Sequence, residues 1–279
     1  MAREDRQMMA GPVFSRRALL LAAGTFPLTS CVAHITEPRT VQLVTFNIWH
    51  DAGDWPQRLP LLVQSLKQAG ADIIILQEVL QDKTRALPNQ AQTIADMLGE
   101  YSVHFFATEP PGSLKRYGNA ILTRFPVMDE VGKKLEPLND YRTALRLRMS
   151  VAGSAIDVVG THLASQPDAG AVRTLQVNDL MDWLPRDHTP LIVAGDFNAT
   201  VDEKALAPLT GPRFFSTLPQ DPSTTTLNPA MGHRERVIDH IFAERKRFEP
   251  VAARRIGDVP EDGKYPSDHF GVRATLRVV

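Results

Sequence analysis

Cysteine is almost missing: Cys31 is the single one in 279 residues, so no intrachain disulfide can form and no thiolate cluster can hold zinc. Net charge is nearly missing too. The 31 basic and 32 acidic residues leave −1, which excludes a uniformly basic protein built to coat nucleic acid, although local basic patches stay open. No apolar run reaches the roughly 18 to 20 residues that span a bilayer, which excludes a polytopic membrane protein. Internal repeats and low-complexity linkers are absent as well. What is present is ordinary globular usage, 43% hydrophobic and 23% charged, which argues against collagen-like, coiled-coil and wholly disordered chains.

Residues 1–30 read as an address. Arg3, Arg6 and the pair Arg16-Arg17 precede an apolar run from Ala18 to about Phe26, the length of a signal-peptide core. The adjacent arginines resemble a twin-arginine export signal, which moves prefolded proteins. Leu28-Thr29-Ser30-Cys31 resembles a bacterial lipobox, in which Cys31 receives lipid and becomes the new N-terminus. The expectation is an exported, periplasm-facing protein of the cell envelope, attached to a membrane through Cys31, with residues 31–40 as a tether. Without residues 1–30 the chain has 27 basic and 30 acidic residues, net −3.

Residues 41–279 read as one domain. β-Branched and aromatic runs predict strands over 41–48, 72–76, 103–107, 120–123, 143–149, 155–161, 191–194, 237–242, 251–256 and 271–278. Apolar spacing predicts helices over 58–69, 91–98 and 172–184. Strands outnumber the helices, so two sheets packed face to face with helices outside is the expected architecture. A proline-rich stretch from Pro208 to Gly232 is a long loop of the kind that usually carries function.

Polar residues stop several of the apolar strands. Asn47 follows Val44-Thr45-Phe46, Glu78 follows Ile73 to Gln77, His162 follows Val158 to Thr161, and Asp196 and Asn198 follow Leu191 to Gly195. Asp239 lies in Val237-Ile238-Asp239-His240, and Asp268-His269 precedes the last strand. Strand ends can converge on one rim of a sheet. Carboxylates and amides gathered there are hard oxygen ligands suited to Mg²⁺ or Mn²⁺, and histidines beside them can move protons or hold phosphate.

Seven segments occur in order: Thr45-Phe46-Asn47, Leu76-Gln77-Glu78, Gly118-Asn119-Ala120-Ile121-Leu122, Gly160-Thr161-His162-Leu163, Gly195-Asp196-Phe197-Asn198, Ile238-Asp239-His240-Ile241 and Ser267-Asp268-His269. In this the chain resembles the endonuclease/exonuclease/phosphatase superfamily, which includes deoxyribonuclease I, apurinic endonucleases, sphingomyelinases and inositol polyphosphate 5-phosphatases. The resemblance implies a four-layer α/β/β/α sandwich and a Mg²⁺-dependent phosphoesterase using in-line water attack. It implies Glu78 as principal metal ligand with Asn47 and Asp268 beside it, and Asp196 and Asn198 orienting water and a phosphate oxygen. Asp239 would hold His269 as a phosphate clamp or general base. His162 fits the deoxyribonuclease I and sphingomyelinase branch, since apurinic endonucleases carry Asn there.

Tyr117, Asn119 and Arg142 are further candidates for phosphate contact, each with a plainer alternative: a turn before a strand for the first two, an exposed strand-edge cation for Arg142. Arg173 and Gln176 lie one turn apart on a helix and read equally well as a solvated face. His240 would face away from Asp239 in a strand and is left out. The expected partner is a phosphate-ester substrate (nucleic acid, phospholipid headgroup or small molecule), and the expected state is a monomer. A deoxyribonuclease-type nuclease and a non-catalytic envelope lipoprotein that binds a phosphate ligand are the competing readings.

Overall fold

The computed structural model describes residues 39–219 and 222–279. The export signal, the Cys31 lipobox and most of the tether lie outside the described residues.

Twelve strands form two six-stranded sheets. The first sheet contains β1 (Thr40–Asn47), β2 (Ile73–Asp82), β3 (Ser102–Ala107), β4 (Lys115–Thr123), β11 (Phe248–Ile256) and β12 (Gly271–Val278), in the order β11-β12-β1-β2-β4-β3. The second contains β5 (Val127–Lys134), β6 (Thr143–Val151), β7 (Ser154–His162), β8 (Leu191–Asp196), β9 (Phe214–Ser216) and β10 (Asp239–Glu244), in the order β5-β6-β7-β8-β10-β9. Each sheet holds one parallel pair, β1 with β2 and β7 with β8. A parallel pair needs a crossover, supplied by the helices α1 (Trp55–Ala69) and α3 (Gly170–Trp183). The other helices are α2 (Gln90–Leu98) and the single turn α4 (Ala207–Thr210).

Three apolar clusters define the layers. Leu43, Ile75, Leu145, Val158, Ile192 and Val272 belong to the cluster between the sheets. Leu62, Leu66, Ile94, Ile74 and Leu76 pack α1 and α2 on the outside of the first sheet, and Val177, Leu180, Val159 and Val193 pack α3 on the outside of the second. The result is an α/β/β/α sandwich, with strand residues alternating between the inter-sheet core and the helix layer. Among the described residues no helix is long and apolar enough to cross a membrane.

Two boundaries and two strands differ from the sequence reading. β2 does not stop at Glu78 but continues to Asp82, because a bulge between Leu76 and Val79 absorbs Gln77-Glu78. β4 reaches back to Lys115, so Tyr117 and Asn119 are strand residues rather than a turn. The strands β5 and β9 are additional; β5 reads Val-Met-Asp-Glu-Val-Gly-Lys-Lys and is an edge strand with little apolar alternation.

Candidate active site

Strand register decides which side chains meet. Asn47 at the end of β1 pairs across from Gln77 at the bulge of β2, His162 across from Asp196 at the ends of β7 and β8, and Asp239 opens β10 opposite the same Asp196. All these ends lie on one rim of the sandwich. The rim closes tightly at Gly195, where a Cβ would stand 1.9 Å from the Thr161 carbonyl oxygen. Only glycine lets β8 approach β7 this closely before delivering Asp196. Glu78 has φ of 60°, a left-handed backbone that the bulge in β2 imposes and that turns its side chain out of the strand alternation.

The side chains form one network across both sheets. Asn47 Nδ2 donates to Glu78 Oε1 at 3.2 Å and to Asp196 Oδ2 at 3.0 Å, while its Oδ1 accepts from the Trp49 amide. Ser267 Oγ donates to the Asn47 carbonyl at 2.7 Å, tying the loop that carries Asp268 to the end of β1. His269 Nδ1 lies 2.9 Å from Asp239 Oδ2, with its Nε2 3.9 Å from Asp196 Oδ2. His162 Nε2 lies 3.3 Å from the same Asp196 oxygen and 3.1 Å from Asn198 Nδ2. A cleft of about 360 Å³ opens over this set, lined by Glu78, His162, Asp196, Asn198, Asp268 and His269 together with Trp49, His50, Ser165, His233 and Arg236.

The electrostatics follow from burial and charge. Burial alone would lower the His269 imidazole, but the Asp239 and Asp196 charges and the hydrogen bond to Asp239 outweigh it and raise the group to about 10. Burial and the Asp196 charge raise Asp239 against the pull of His269. Burial pushes Asp196 up, yet His162, His269 and the Asn47 amide hold it below the usual carboxylate range. At neutral pH the rim therefore holds an Asp239–imidazolium pair beside an ionised Asp196. Asp196, Asp239 and His269 offer ligand atoms within 4.8 Å of one another, a group able to hold a metal.

The weaker candidates have different places. Asn119 is buried, and its Nδ2 donates to Thr143 O and Oγ1 at 2.9 and 3.0 Å. It stitches β4 to β6 and is not among the residues that line the cleft. Arg142 stands behind the site: Nη1 meets His162 Nδ1 at 3.0 Å and Nη2 donates to Ser165 Oγ at 3.2 Å. The two ring nitrogens of His162 face Arg142 on one side and Asn198 with Asp196 on the other. Arg142 is thus neither an exposed edge residue nor a group lining the cleft. Burial, with the Glu78 charge, raises the Tyr117 phenol far above the ordinary range. Arg173 and Gln176 are buried rather than solvated: Arg173 donates to the Ala164 and Gln166 carbonyls, and Gln176 Oε1 accepts from the Ala164 amide. They shape the loop after His162. His240 faces the other way from Asp239 and lies 2.9 Å from the Ala199 carbonyl.

Sequence reasoning missed Arg58, Trp49, His50, His233 and Arg236. The pair Trp49-His50 directly after Asn47 was the available signal, because residues just beyond a strand end share its rim. His233 lies in the proline-rich stretch and its Nε2 is 3.2 Å from Asp268 Oδ2.

The model of the Endonuclease/Exonuclease/phosphatase family matches residues 44–269, which contain every one of the strand-end residues above. The chain belongs to the endonuclease/exonuclease/phosphatase family. It is a hydrolase acting on phosphoric ester bonds. Among characterised relatives, tyrosyl-DNA phosphodiesterase 2 of Mus musculus is 24% identical over 263 residues, 88% of this chain and 68% of that protein. Among solved structures, the human Nocturnin catalytic domain with bound sulfate is 20% identical with a TM-score of 0.71, covering 86% of this chain and 95% of that one. A mannosyl-6-phosphatase of Bacteroides thetaiotaomicron is 18% identical with a TM-score of 0.68, covering 86% and 99%. At these identities the structural likeness speaks to the fold, and family membership rests on the residues matched.

Proposed function

We propose that this member of the family is a divalent-metal-dependent phosphoesterase that hydrolyses a phosphodiester or phosphomonoester by in-line attack of water. The observation that carries the reading is the His269–Asp239 pair at 2.9 Å, set against Asp196 and reached from the other sheet by the Asn47 bridge to Glu78. The donor set suits a hard cation: Glu78 and Asp268 face the cleft, Asn47 adds an amide oxygen, and no Lys or Arg forms an ion pair with either carboxylate among the described residues. The buried hydrogen bond within Asp239 and His269 favours proton chemistry for that pair, so Glu78, Asp268 and Asn47 are the residues that would hold Mg²⁺ or Mn²⁺. A cation there would draw charge from a phosphate oxygen and stabilise the leaving oxygen.

The chain's own groups do the rest. The His269 imidazolium donates through Nε2 to a phosphoryl oxygen, where negative charge grows in the transition state. Asp239 fixes the ring's orientation and its charge. Asp196, ionised, accepts a hydrogen bond from the attacking water, and the backbone N–H of Asn198 and the His162 ring hold that carboxylate in place. Purified protein should lose hydrolysis of bis(p-nitrophenyl) phosphate in EDTA and regain it with Mg²⁺ or Mn²⁺; full activity in chelator would overturn the metal assignment.

We also propose that residues 1–30 are an export signal and that Cys31 carries a lipid anchor at the cell envelope. The twin-arginine and lipobox segments support this. Cys31→Ala should abolish palmitate labelling and leave catalysis intact.

A further inference from the structure

The turn that follows Asn47 is held in a shape its residues disfavour. Trp49 and His50 have φ of 57° and 29°, in the left-handed region that bulky side chains avoid. Arg58, from the first turn of α1, makes this possible. Its Nη1 donates to the Ile48 and Pro266 carbonyls at 2.9 and 2.8 Å, and its Nη2 to those of Trp49, His50 and Ala52 at 3.1, 2.9 and 2.8 Å. Gln90 Nε2 adds a further bond to the His50 carbonyl at 2.9 Å. The guanidinium carbon lies 5.0 Å from the Trp49 ring centroid, and a Cβ on Gly53 would come within 2.9 Å of Trp49 Cζ3. The indole is therefore seated against Arg58 and Gly53 with its plane fixed. Trp49 and His50 both line the cleft beside Glu78.

We infer that Trp49 is a preformed platform on which a planar ring of the substrate stacks, the ring being borne by an alcohol of the phosphate ester, with Arg58 as the positioning residue. This rests on the phosphoesterase reading. A fixed aromatic plane favours a flat π face over a flexible aliphatic chain. A second anionic group would meet Glu78, which lines the cleft and stands 3.9 Å from His50 Nε2. An uncharged planar ring, nucleobase or aryl, fits both constraints. Binding needs no ordering of the turn, because Arg58 has already ordered it.

Calorimetric titrations of the full chain, with and without EDTA, would compare thymidine 5′-monophosphate, phenyl phosphate and glycerol 3-phosphate. The two ring-bearing phosphates should bind on the order of 10-fold tighter than glycerol 3-phosphate, the scale of one base–aromatic stack. Whichever ring binds tighter distinguishes a nucleoside from an aryl ester. Trp49→Ala should erase that preference without weakening glycerol 3-phosphate. Gly53→Ala, which keeps every functional side chain but pushes the indole from its seat, should do the same, and so should Arg58→Lys, which keeps the charge and loses the fork. No ring preference in the wild type, or equal weakening of all three ligands in the Gly53→Ala protein, would overturn the inference. A ring preference lost with Trp49 in a protein that hydrolyses no phosphate ester would overturn the hydrolysis reading alone.

Discussion

His269 and Asp239 share one hydrogen bond in a buried setting, so neither can be changed without changing the other. His269 is held near 10 by its two carboxylate neighbours, and activity that needs the imidazolium should fall as pH rises through that value. Asp239→Asn keeps the shape and removes the largest charge supporting the proton, so the alkaline fall should move to lower pH. His269→Ala should lower kcat by about 10² to 10⁴, the scale of a positioned acid or base, with a much smaller change in KM. The double variant should be little worse than His269→Ala, and clean multiplication of the two losses in kcat would show independent action. The pair also links stability to pH: a raised imidazole favours the fold fully below its unfolded value near 6.5, and that contribution is lost as pH rises towards 10. Residues of this kind were legible in the sequence because each stands in or directly beside an apolar strand. Arg58 was not. Among the apolar positions of α1 it reads as a solvent-facing cation, and only the folded turn brings the carbonyls of Ile48, Trp49, His50, Ala52 and Pro266 around it.

At the scale of elements, strand spacing controls the rim as much as the side chains do. Gly195→Ala would force a methyl to within 1.9 Å of the Thr161 oxygen, so β7 and β8 must part just where His162 and Asp196 are delivered. The expected loss is about 1 to 3 kcal/mol of stability, seen as a lowered Tm, with a fall in kcat in the surviving folded fraction. An unchanged Tm would show that the strands have slack. The buried strands were legible from their apolar runs, and both crossover helices from their spacing. β5 was not, because an edge strand with one wet face and six non-aliphatic positions in eight carries little periodic signal. The bulge at Gln77-Glu78 was also hidden, since its cause is the pairing with β4, which local sequence does not encode.

For the whole molecule, the direction of β1 sets what a tether can reach. Arg39 accepts the Val278 amide beside the far end of β1, and the strand then runs from Thr40 to Asn47 before the cleft begins. Eight strand residues at about 3.3 Å each put roughly 25 Å between the point where the leading segment joins and the reacting groups. From Cys31 to Arg39 a fully extended chain spans at most about 29 Å. Under the proposed lipid anchor at Cys31, the leading segment would join the domain at one end of β1 while the reacting groups lie at the other. Lipidated protein on vesicles should then hydrolyse a dissolved phosphate ester at the rate of the Cys31→Ala protein, because no group of the cleft lies at the joining end. A slower rate on vesicles that Cys31→Ala restores would show the membrane covering the cleft instead. Attachment and catalysis would be separable in this chain: the strand that delivers Asn47 at one end receives the leading segment at the other.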